Sequence, residues 1–401
     1  MRPRPHEWPI ASRAETPSVS AARCQRLWAA PGGGAGGLVS ARNCSSAATT
    51  AAASLWDGTS VTNSIRGLGG RRFPLVPMDR TLICAPVAQV PVLDASTVLA
   101  AVTPSEAIER TRQAFERHAR GEWAMPPKVY LDSPPRGDFR AMPARGEGFS
   151  LLKWVTSFPG NSERGLPVVT GALLLSDAST GELRAIMDCA SVTSLRTGAG
   201  AAVSVQVLAD RRARRVGVIG CGVNGAWAAR CLAAIGRGPG VCADLHRERA
   251  EALASELGWR VGERAEAAAQ DVVVTMTPGV EPVILASDLR PGHHLAVLGA
   301  DTRGKGEVEL AALERCLLFC DEWQQASTGG ELAAAVDEGI VSRDEVAEIG
   351  EVILGRARGR RSPQEITLFD STGLAIQDLA VALAVYEAWR EDRVGAQSVD
   401  L

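Results

Sequence analysis

The sequence has little that would suit a membrane, a nucleic acid or a metal ion. No stretch approaches the roughly 18 uninterrupted apolar residues that a membrane-spanning helix needs, so we expect a soluble protein. The net charge of −3 over 401 residues is close to neutral. Bulk electrostatics therefore give no reason to expect nucleic acid or an anionic membrane as a partner, and an enzyme acting on small molecules fits better.

The cysteines lack the spacing of metal ligands. Nine are present, and they are scattered and never arranged as paired C-x-x-C ligands. Such thiols are typical of small buried side chains in a reducing compartment. This pattern predicts a cytoplasmic protein without a metal site.

Lysine is also scarce, because only three of the 43 basic residues are of this type. Lys128, Lys153 and Lys305 each lie in a motif-like segment. A lysine offers a compact ammonium whose pKa responds to its surroundings, whereas arginine carries a planar and permanently charged group. We therefore expect all three lysines to be functional.

The N-terminal region differs in composition from the rest of the chain. Residues 1–85 are rich in Ala, Ser, Gly and Arg, with hardly any acidic residues and no sustained period. This composition predicts a disordered extension. It fits either an organelle transit peptide that lacks a clear amphipathic helix, or an upstream extension, in which case Met78 opens the working protein.

The remaining chain is long enough for two domains, and we expect the first to be discontinuous. It is predicted to comprise residues 86–200 and 366–401. Thr103-Pro104-Ser105-Glu106 indicates a helix start. A helix rich in small residues is predicted at 193–208, closely packed against a neighbour, and an amphipathic helix at 374–389 should fold back on the first domain.

The second domain, residues 201–365, alternates short apolar strands with helices. Strands are predicted at 216–219, 240–243, 271–276 and 294–298, and helices at 226–235 and 248–257. Such alternation requires a parallel sheet with right-handed crossovers. The predicted fold class is α/β, with a Rossmann-type doubly wound parallel sheet in this domain.

A glycine-rich turn follows the first strand of that sheet. Gly220-Cys221-Gly222-Val223-Asn224-Gly225 has the G-x-G-x-x-G spacing, directly after a strand and directly before a helix. The glycines permit a tight turn, close approach of a pyrophosphate and close helix–strand packing, and the helix N-terminus offers free N–H groups. We predict that this turn, including Val223 and Asn224, binds a dinucleotide.

The end of the next strand indicates which dinucleotide. Asp244 follows Gly220 by 24 positions and can accept both ribose hydroxyls, which favours NAD. Arg247 and Arg249 could instead pair with a 2′-phosphate, so NADP stays as the alternative. Thr275 and Thr277, at the end of a later strand, are predicted to line the cofactor groove.

Several segments together resemble the ornithine cyclodeaminase and mu-crystallin family over residues 90–390. The matching pieces, beside the glycine turn, are LLKWVTSFPGNSERG around Lys153, Leu195-Arg196-Thr197-Gly198, Leu298-Gly299-Ala300-Asp301 with Gly304-Lys305, and Leu368-Phe369-Asp370-Ser371-Thr372-Gly373. The resemblance implies a substrate-binding and dimerisation domain beside the Rossmann domain, and a homodimer.

The resemblance also implies roles for individual residues. Lys153 would be the proton-handling amine and Asp301 its acid–base partner. Substrate binding would involve Lys128, Arg140, Arg196 and Thr372. Cofactor contacts would include Thr197, Leu298, Gly299, Lys305 and Ser371.

The chain departs from the cyclodeaminase pattern at Arg140, where those enzymes carry a glutamate. The phrase Gly-Asp-Phe-Arg-Ala-Met-Pro is instead similar to the alanine dehydrogenase branch of the family. The sequence therefore predicts an NAD-dependent oxidoreductase that acts on the C–N bond of a small L-amino acid or the corresponding imine. The alternatives are a cyclodeaminase that uses NAD catalytically, a ketimine reductase, and a crystallin-like protein that binds NAD(P)H without turnover.

Overall fold

The structure is a computed structural model that describes residues 89–279 and 281–401. The predicted disordered extension, residues 1–85, lies outside the described residues. The strands are β1 (Gln89–Leu93), β2 (Val129–Ser133), β3 (Gly137–Gly146), β4 (Phe149–Ser157), β5 (Val169–Asp177), β6 (Leu183–Asp188), β7 (Val216–Ile219), β8 (Gly240–Ala243), β9 (Arg260–Val261), β10 (Val272–Thr275), β11 (His294–Val297), β12 (Leu317–Cys320), β13 (Val346–Glu348), β14 (Thr367–Asp370) and β15 (Gln397–Asp400).

The α-helices connect these strands and cover the sheets. They are α1 (Ala95–Ala101), α2 (Pro104–Ala119), α3 (Cys189–Leu208), α4 (Val223–Ala234), α5 (Arg247–Leu257), α6 (Arg264–Ala268), α7 (Leu310–Leu313), α8 (Trp323–Gly329), α9 (Ala333–Asp337), α10 (Ile349–Ile353) and α11 (Ala375–Arg390). The predicted start of α2 is confirmed, because the Thr103 hydroxyl accepts a hydrogen bond from the Glu106 N–H at 3.2 Å. In the described part of the chain, no helix is long and apolar enough to cross a bilayer.

The second sheet has the predicted doubly wound, parallel architecture. Its order is β13-β12-β14-β11-β10-β7-β8-β9, and every recorded pairing between these strands is parallel. Strands β7 and β8 are wholly apolar, β10 and β11 each carry one polar residue (Thr275 and His294), and all four are buried at every position, as expected for parallel strands covered on both faces. The predicted α/β fold class is confirmed.

The first sheet is mostly antiparallel, in the order β15-β1-β6-β5-β4-β3-β2. Strand β4 alternates between the two faces, with Leu151, Lys153 and Val155 buried and Leu152 and Trp154 exposed. The inner face packs on helices, and the outer face leaves apolar side chains uncovered. This alternation places Lys153 in the interior and Trp154 on the surface.

The predicted domain boundary at 365/366 is wrong for one strand. Strand β14 lies in the segment 366–401 that is predicted for the discontinuous first domain, yet it pairs with β11 on one side and β12 on the other. The boundary at 200/201 also cuts through α3, which is a single helix. Both sheets belong to one compact unit that contains all described residues.

Two helices bury almost every side chain. The prediction of close packing along α3 is confirmed at Gly198, where a Cβ would overlap the backbone of Trp227 in α4. The prediction that α11 is amphipathic is wrong, because its residues are buried all around. It does fold back on the first sheet as predicted, lying among α2, β3 and β4. A helix enclosed on every side needs no polar face.

Candidate active site

The glycine turn fits a dinucleotide phosphate. Gly220 has φ +93°, and a Cβ at Gly225 would overlap the carbonyl oxygen of Gly220, so both positions require glycine. At Gly222, in contrast, a Cβ would meet nothing within 4 Å. This open space over the N-terminus of α4 is where a pyrophosphate would approach the backbone.

Asp244 fixes the position of this turn. Its carboxylate accepts hydrogen bonds from the N–H of Cys221 at 2.6 Å and of His246 at 2.8 Å. The carboxylate oxygens keep lone pairs for ribose hydroxyls. Arg247, one of the two candidates for a 2′-phosphate, instead pairs with Glu251 at 2.9 Å. These contacts favour NAD.

A carboxylate that sequence reasoning missed lies behind the predicted cofactor groove. Glu307 is fully buried and accepts hydrogen bonds from the hydroxyls of Thr275 (2.7 Å) and Thr277 (2.8 Å). It also accepts from the N–H groups of Thr277 (2.6 Å) and Gly299 (2.7 Å). The two threonines therefore hold the groove in shape through Glu307, with their hydroxyls turned toward that carboxylate.

Four charged side chains, which we name the Asp301 cluster, meet where β11 ends. Asp301 receives Arg140 on one carboxylate oxygen and Lys305 on the other, each at 2.6 Å. Arg140 also binds Asp138 at 2.6 Å, and the Tyr130 ring lies 5.3 Å from its guanidinium carbon. Burial alone would raise the pKa of Asp301, but the two cations outweigh burial and hold that pKa below its usual value. Asp301 is therefore ionised at neutral pH.

Lys128 lies next to this cluster. Its ammonium donates to the carbonyl oxygen of Thr372 at 2.7 Å. Burial lowers the pKa of Lys128 to about 8, although the nearby Asp301 and Asp321 act in the opposite direction. Lys128 thus has a pKa suited to losing and regaining a proton near neutral pH.

Asp321 is a second carboxylate that sequence reasoning missed. It is buried and accepts hydrogen bonds from the Ser371 hydroxyl at 3.0 Å, the Gly373 N–H at 2.8 Å and the Thr372 hydroxyl at 3.3 Å. Burial raises the pKa of Asp321. It fixes the segment that carries the Thr372 carbonyl, and therefore the position of Lys128.

Lys153 and Arg196 belong to a separate group, the Asp378 cluster. The Lys153 ammonium lies 2.9 Å from Asp378 Oδ1 and 2.7 Å from the Thr193 hydroxyl, and the Arg196 Nε lies 3.1 Å from the same Asp378 oxygen. Lys153 is 1% exposed. The structure gives no contact between Lys153 and Asp301, the pair predicted to exchange protons. Thr197 is also buried, and its hydroxyl bonds to the Thr193 carbonyl within α3 at 2.6 Å.

The structure thus brings the predicted residues together in three groups. The glycine turn with Asp244, Leu298 and Gly299 lies along the carboxyl ends of the parallel strands. The second group is the Asp301 cluster with Lys128 and Thr372, which come from β3, from the residue before β2 and from the loops after β11 and β14. The third group is the Asp378 cluster. Sequence reasoning missed three carboxylates, Glu307, Asp321 and Asp378, because they lie in no recognisable motif. Only their burial next to these groups in the folded structure reveals them. In the described ranges, no group of three or more His, Cys, Asp or Glu side chains could hold a metal ion.

Comparison with known proteins fits this arrangement. The ornithine cyclodeaminase/mu-crystallin family matches residues 89–393. The chain belongs to this family. It is 39% identical over 313 residues to an alanine dehydrogenase of Archaeoglobus fulgidus, an alignment that covers 76% of this chain and 97% of the relative. The predicted family is confirmed.

Two solved structures share the fold. One is an archaeal alanine dehydrogenase dimer with bound NAD, with a TM-score of 0.74 and 38% identity, covering 78% of this chain and 99% of that one. The other is the iminosuccinate reductase of Paracoccus denitrificans in complex with NAD+, with a TM-score of 0.72 and 30% identity, covering 78% of this chain and all of that one (100%).

Proposed function

We propose that this chain oxidises a small L-amino acid at Cα, and reduces the corresponding imine in the reverse direction. The predicted activity class, an NAD(P)-dependent oxidoreductase acting on amino acids or imines, is confirmed by its relatives. The predicted cofactor is likewise NAD, which both solved relatives bind. The observation that carries the specific proposal is an ionised Asp301 next to Lys128, a lysine with a lowered pKa.

The reaction requires a proton and a hydride to leave the substrate. The zwitterionic amino acid loses one proton and the Cα hydride to give an iminium carboxylate, and water then converts this to a 2-oxo acid and ammonium. When bound, the nicotinamide accepts the hydride. The glycine turn, Asp244 and the threonines held by Glu307 would position that cofactor.

The side chains of the Asp301 cluster suit the positive charge that develops on nitrogen. A fixed carboxylate stabilises an iminium without having to reorganise. Lys128, with a pKa of about 8, would take the proton from the substrate ammonium. Arg196 would hold the substrate carboxylate, because only its Nε is committed to Asp378.

This assignment moves proton handling from Lys153 to Lys128. The Lys153 ammonium is buried and already hydrogen-bonded to Asp378 and Thr193. We therefore propose that Lys153 stabilises the structure around the site and does not transfer the proton itself. Under this proposal, Lys128→Met abolishes oxidation. Lys153→Met retains measurable turnover with a changed KM.

The deciding experiment is a screen of L-amino acids with NAD, and of cyclic imines with NADH and NADPH. Net accumulation of NADH with an L-amino acid supports the dehydrogenase, whereas ammonia release without NADH identifies a cyclodeaminase. The Asp301→Asn variant serves as the control and should lose turnover while still binding NADH. Tight NADH binding with no turnover on any substrate would favour the crystallin-like alternative.

We also propose a cytoplasmic homodimer in which the first sheet binds substrate and forms the interface. The solved archaeal relative is a dimer. The outer face of the first sheet exposes Val129, Leu131, Leu152 and Trp154, a contiguous apolar surface that a partner could cover. The six cysteines of the described residues are free thiols, in keeping with a reducing compartment.

A further inference from the structure

A cavity of about 410 Å³ opens beside the Asp301 cluster. Arg140 and Lys305 line it, and both bind Asp301, so the cavity is continuous with the proposed reaction site. Lys305 is the only predicted cofactor residue in its lining. Arg140, which is predicted to bind the substrate, lies in the same lining, and the cavity is far larger than the methyl side chain of alanine requires.

The lining of this cavity is strongly positive. It contains four cations, Arg136, Arg140, Arg164 and Lys305, and one carboxylate, Asp138. Asp138 offsets Arg140, and Asp301 offsets Lys305. Two positive charges therefore remain without a counter-charge.

These two charges come from separate loops. Arg136 lies in the turn between β2 and β3, and Arg164 ends the short 3₁₀ turn Pro159–Arg164 that follows β4. Within residues 89–279 and 281–401, neither guanidinium has a carboxylate at ion-pair distance. The ring of Phe158 packs edge-on against the ring of Phe139, with 5.4 Å between the ring centroids, and this contact holds the loop after β4 against the sheet.

We propose that Arg136 and Arg164 form a subsite for a second carboxylate, carried on the side chain of the substrate. The preferred substrate is then a small dicarboxylic amino acid or its imine rather than a neutral one. An arginine binds a carboxylate through paired charge-assisted hydrogen bonds, and two arginines that line the cavity next to Arg140 and Lys305 would select for that group. This inference rests on the proposed function, since it assigns the side chain of the same substrate.

The test compares two reductions with NADH and ammonium, one starting from oxaloacetate and the other from pyruvate. Wild-type protein should have the higher kcat/KM with oxaloacetate. In the double variant R136Q/R164Q, the ratio of the two kcat/KM values should shift toward pyruvate by about tenfold or more. The control is Arg211→Gln, an exposed arginine at the amino end of the parallel sheet, which should leave the ratio unchanged.

Three outcomes would overturn the inference. They are a wild-type preference for pyruvate, an equal loss with both substrates in the double variant, and equal inhibition of both reactions by inorganic phosphate, which would indicate a separate anion site.

A binding measurement distinguishes a failure of this inference from a failure of the proposed function. If neither reaction consumes NADH, the proposed function fails, and titration of L-aspartate and L-alanine into the NADH-bound protein still decides the subsite. The subsite predicts tighter binding of L-aspartate, and a loss of that difference in R136Q/R164Q. Equal affinities for the two amino acids would rule the subsite out.

Discussion

Lys153 and Asp378 form an ion pair in the interior of the protein, with 2.9 Å between Nζ and Oδ1. Arg196 shares the same carboxylate oxygen at 3.1 Å. One buried carboxylate thus compensates two cations that come from different elements, β4 and α3. This links the inner face of the first sheet to the helices that cover it.

Removing this carboxylate should cost more stability than removing one of its cations. Asp378→Ala leaves Lys153 and Arg196 buried without a counter-charge, and we expect the free energy of unfolding to fall by about 3–5 kcal/mol. Lys153→Met should cost less, because Asp378 keeps Arg196. Urea unfolding measures both, with the exposed Asp400→Asn as control. Equal losses for the two variants would contradict the shared role of Asp378.

The glycine turn offers a matched pair of substitutions. Gly222→Ala places a methyl group in open space, so we expect an unchanged Tm but a Kd for NADH raised about tenfold or more, because the methyl group occupies the path of the pyrophosphate. Gly225→Ala should lower both the Tm and the NADH affinity, since its Cβ would overlap the Gly220 carbonyl. Gly395→Ala, also in open space but remote from the turn, is the control. An unchanged Kd in Gly222→Ala would argue against phosphate binding here.

The sequence predicted much of the nucleotide-binding half because its signals are local. Strands such as β8 are short, wholly apolar and buried, and the glycine spacing identifies the turn beside them. The partners of the site residues could not be predicted in this way. The hydroxyl of Thr275 binds Glu307, which is 32 positions away, and Lys153 binds Asp378, which is 225 positions away. Such contacts depend on how distant segments of the chain pack together.

The same reason explains the misassigned strand. Strand β14 lies between β11 and β12, so a late segment of the chain enters the middle of the parallel sheet. Its apolar residues, followed by Ser371 and Thr372, fit either domain when only local pattern is considered. Strand order is a long-range property, and the sequence alone does not reveal it.

Glu307 should act as a positioning residue for the cofactor. Glu307→Gln replaces one acceptor oxygen with an amide donor, which would face N–H groups that now donate to the carboxylate. We expect the KM for NADH to rise about tenfold with a smaller change in kcat, because the loops after β10 and β11 lose their shared anchor. Glu307→Asp should partly restore the KM. A fall in Tm without any change in KM would indicate a purely structural role.

Glu331 should make stability depend on pH. Burial raises the pKa of Glu331 to about 7 from its usual 4.5. Between these values the folded state holds a proton that the unfolded state has lost, so its contribution to stability is present at low pH and is lost as pH rises toward 7. The difference in free energy of unfolding between wild type and Glu331→Gln should therefore decrease by up to about 3 kcal/mol between about pH 5 and pH 8. A difference that does not vary with pH would contradict the raised pKa.

The outer face of the first sheet should decide the oligomeric state. Leu152 and Trp154 point outward from β4, where a sheet facing water would carry polar side chains. Leu152→Glu places a charge in the proposed interface, and burying that charge without a partner is unfavourable, so this variant should be a monomer by sedimentation or light scattering. Leu99→Glu is the matched control, because Leu99 is exposed to a similar degree (39% against 38%) but lies on α1. A dimer that persists in Leu152→Glu, or one lost equally in Leu99→Glu, would place the interface elsewhere.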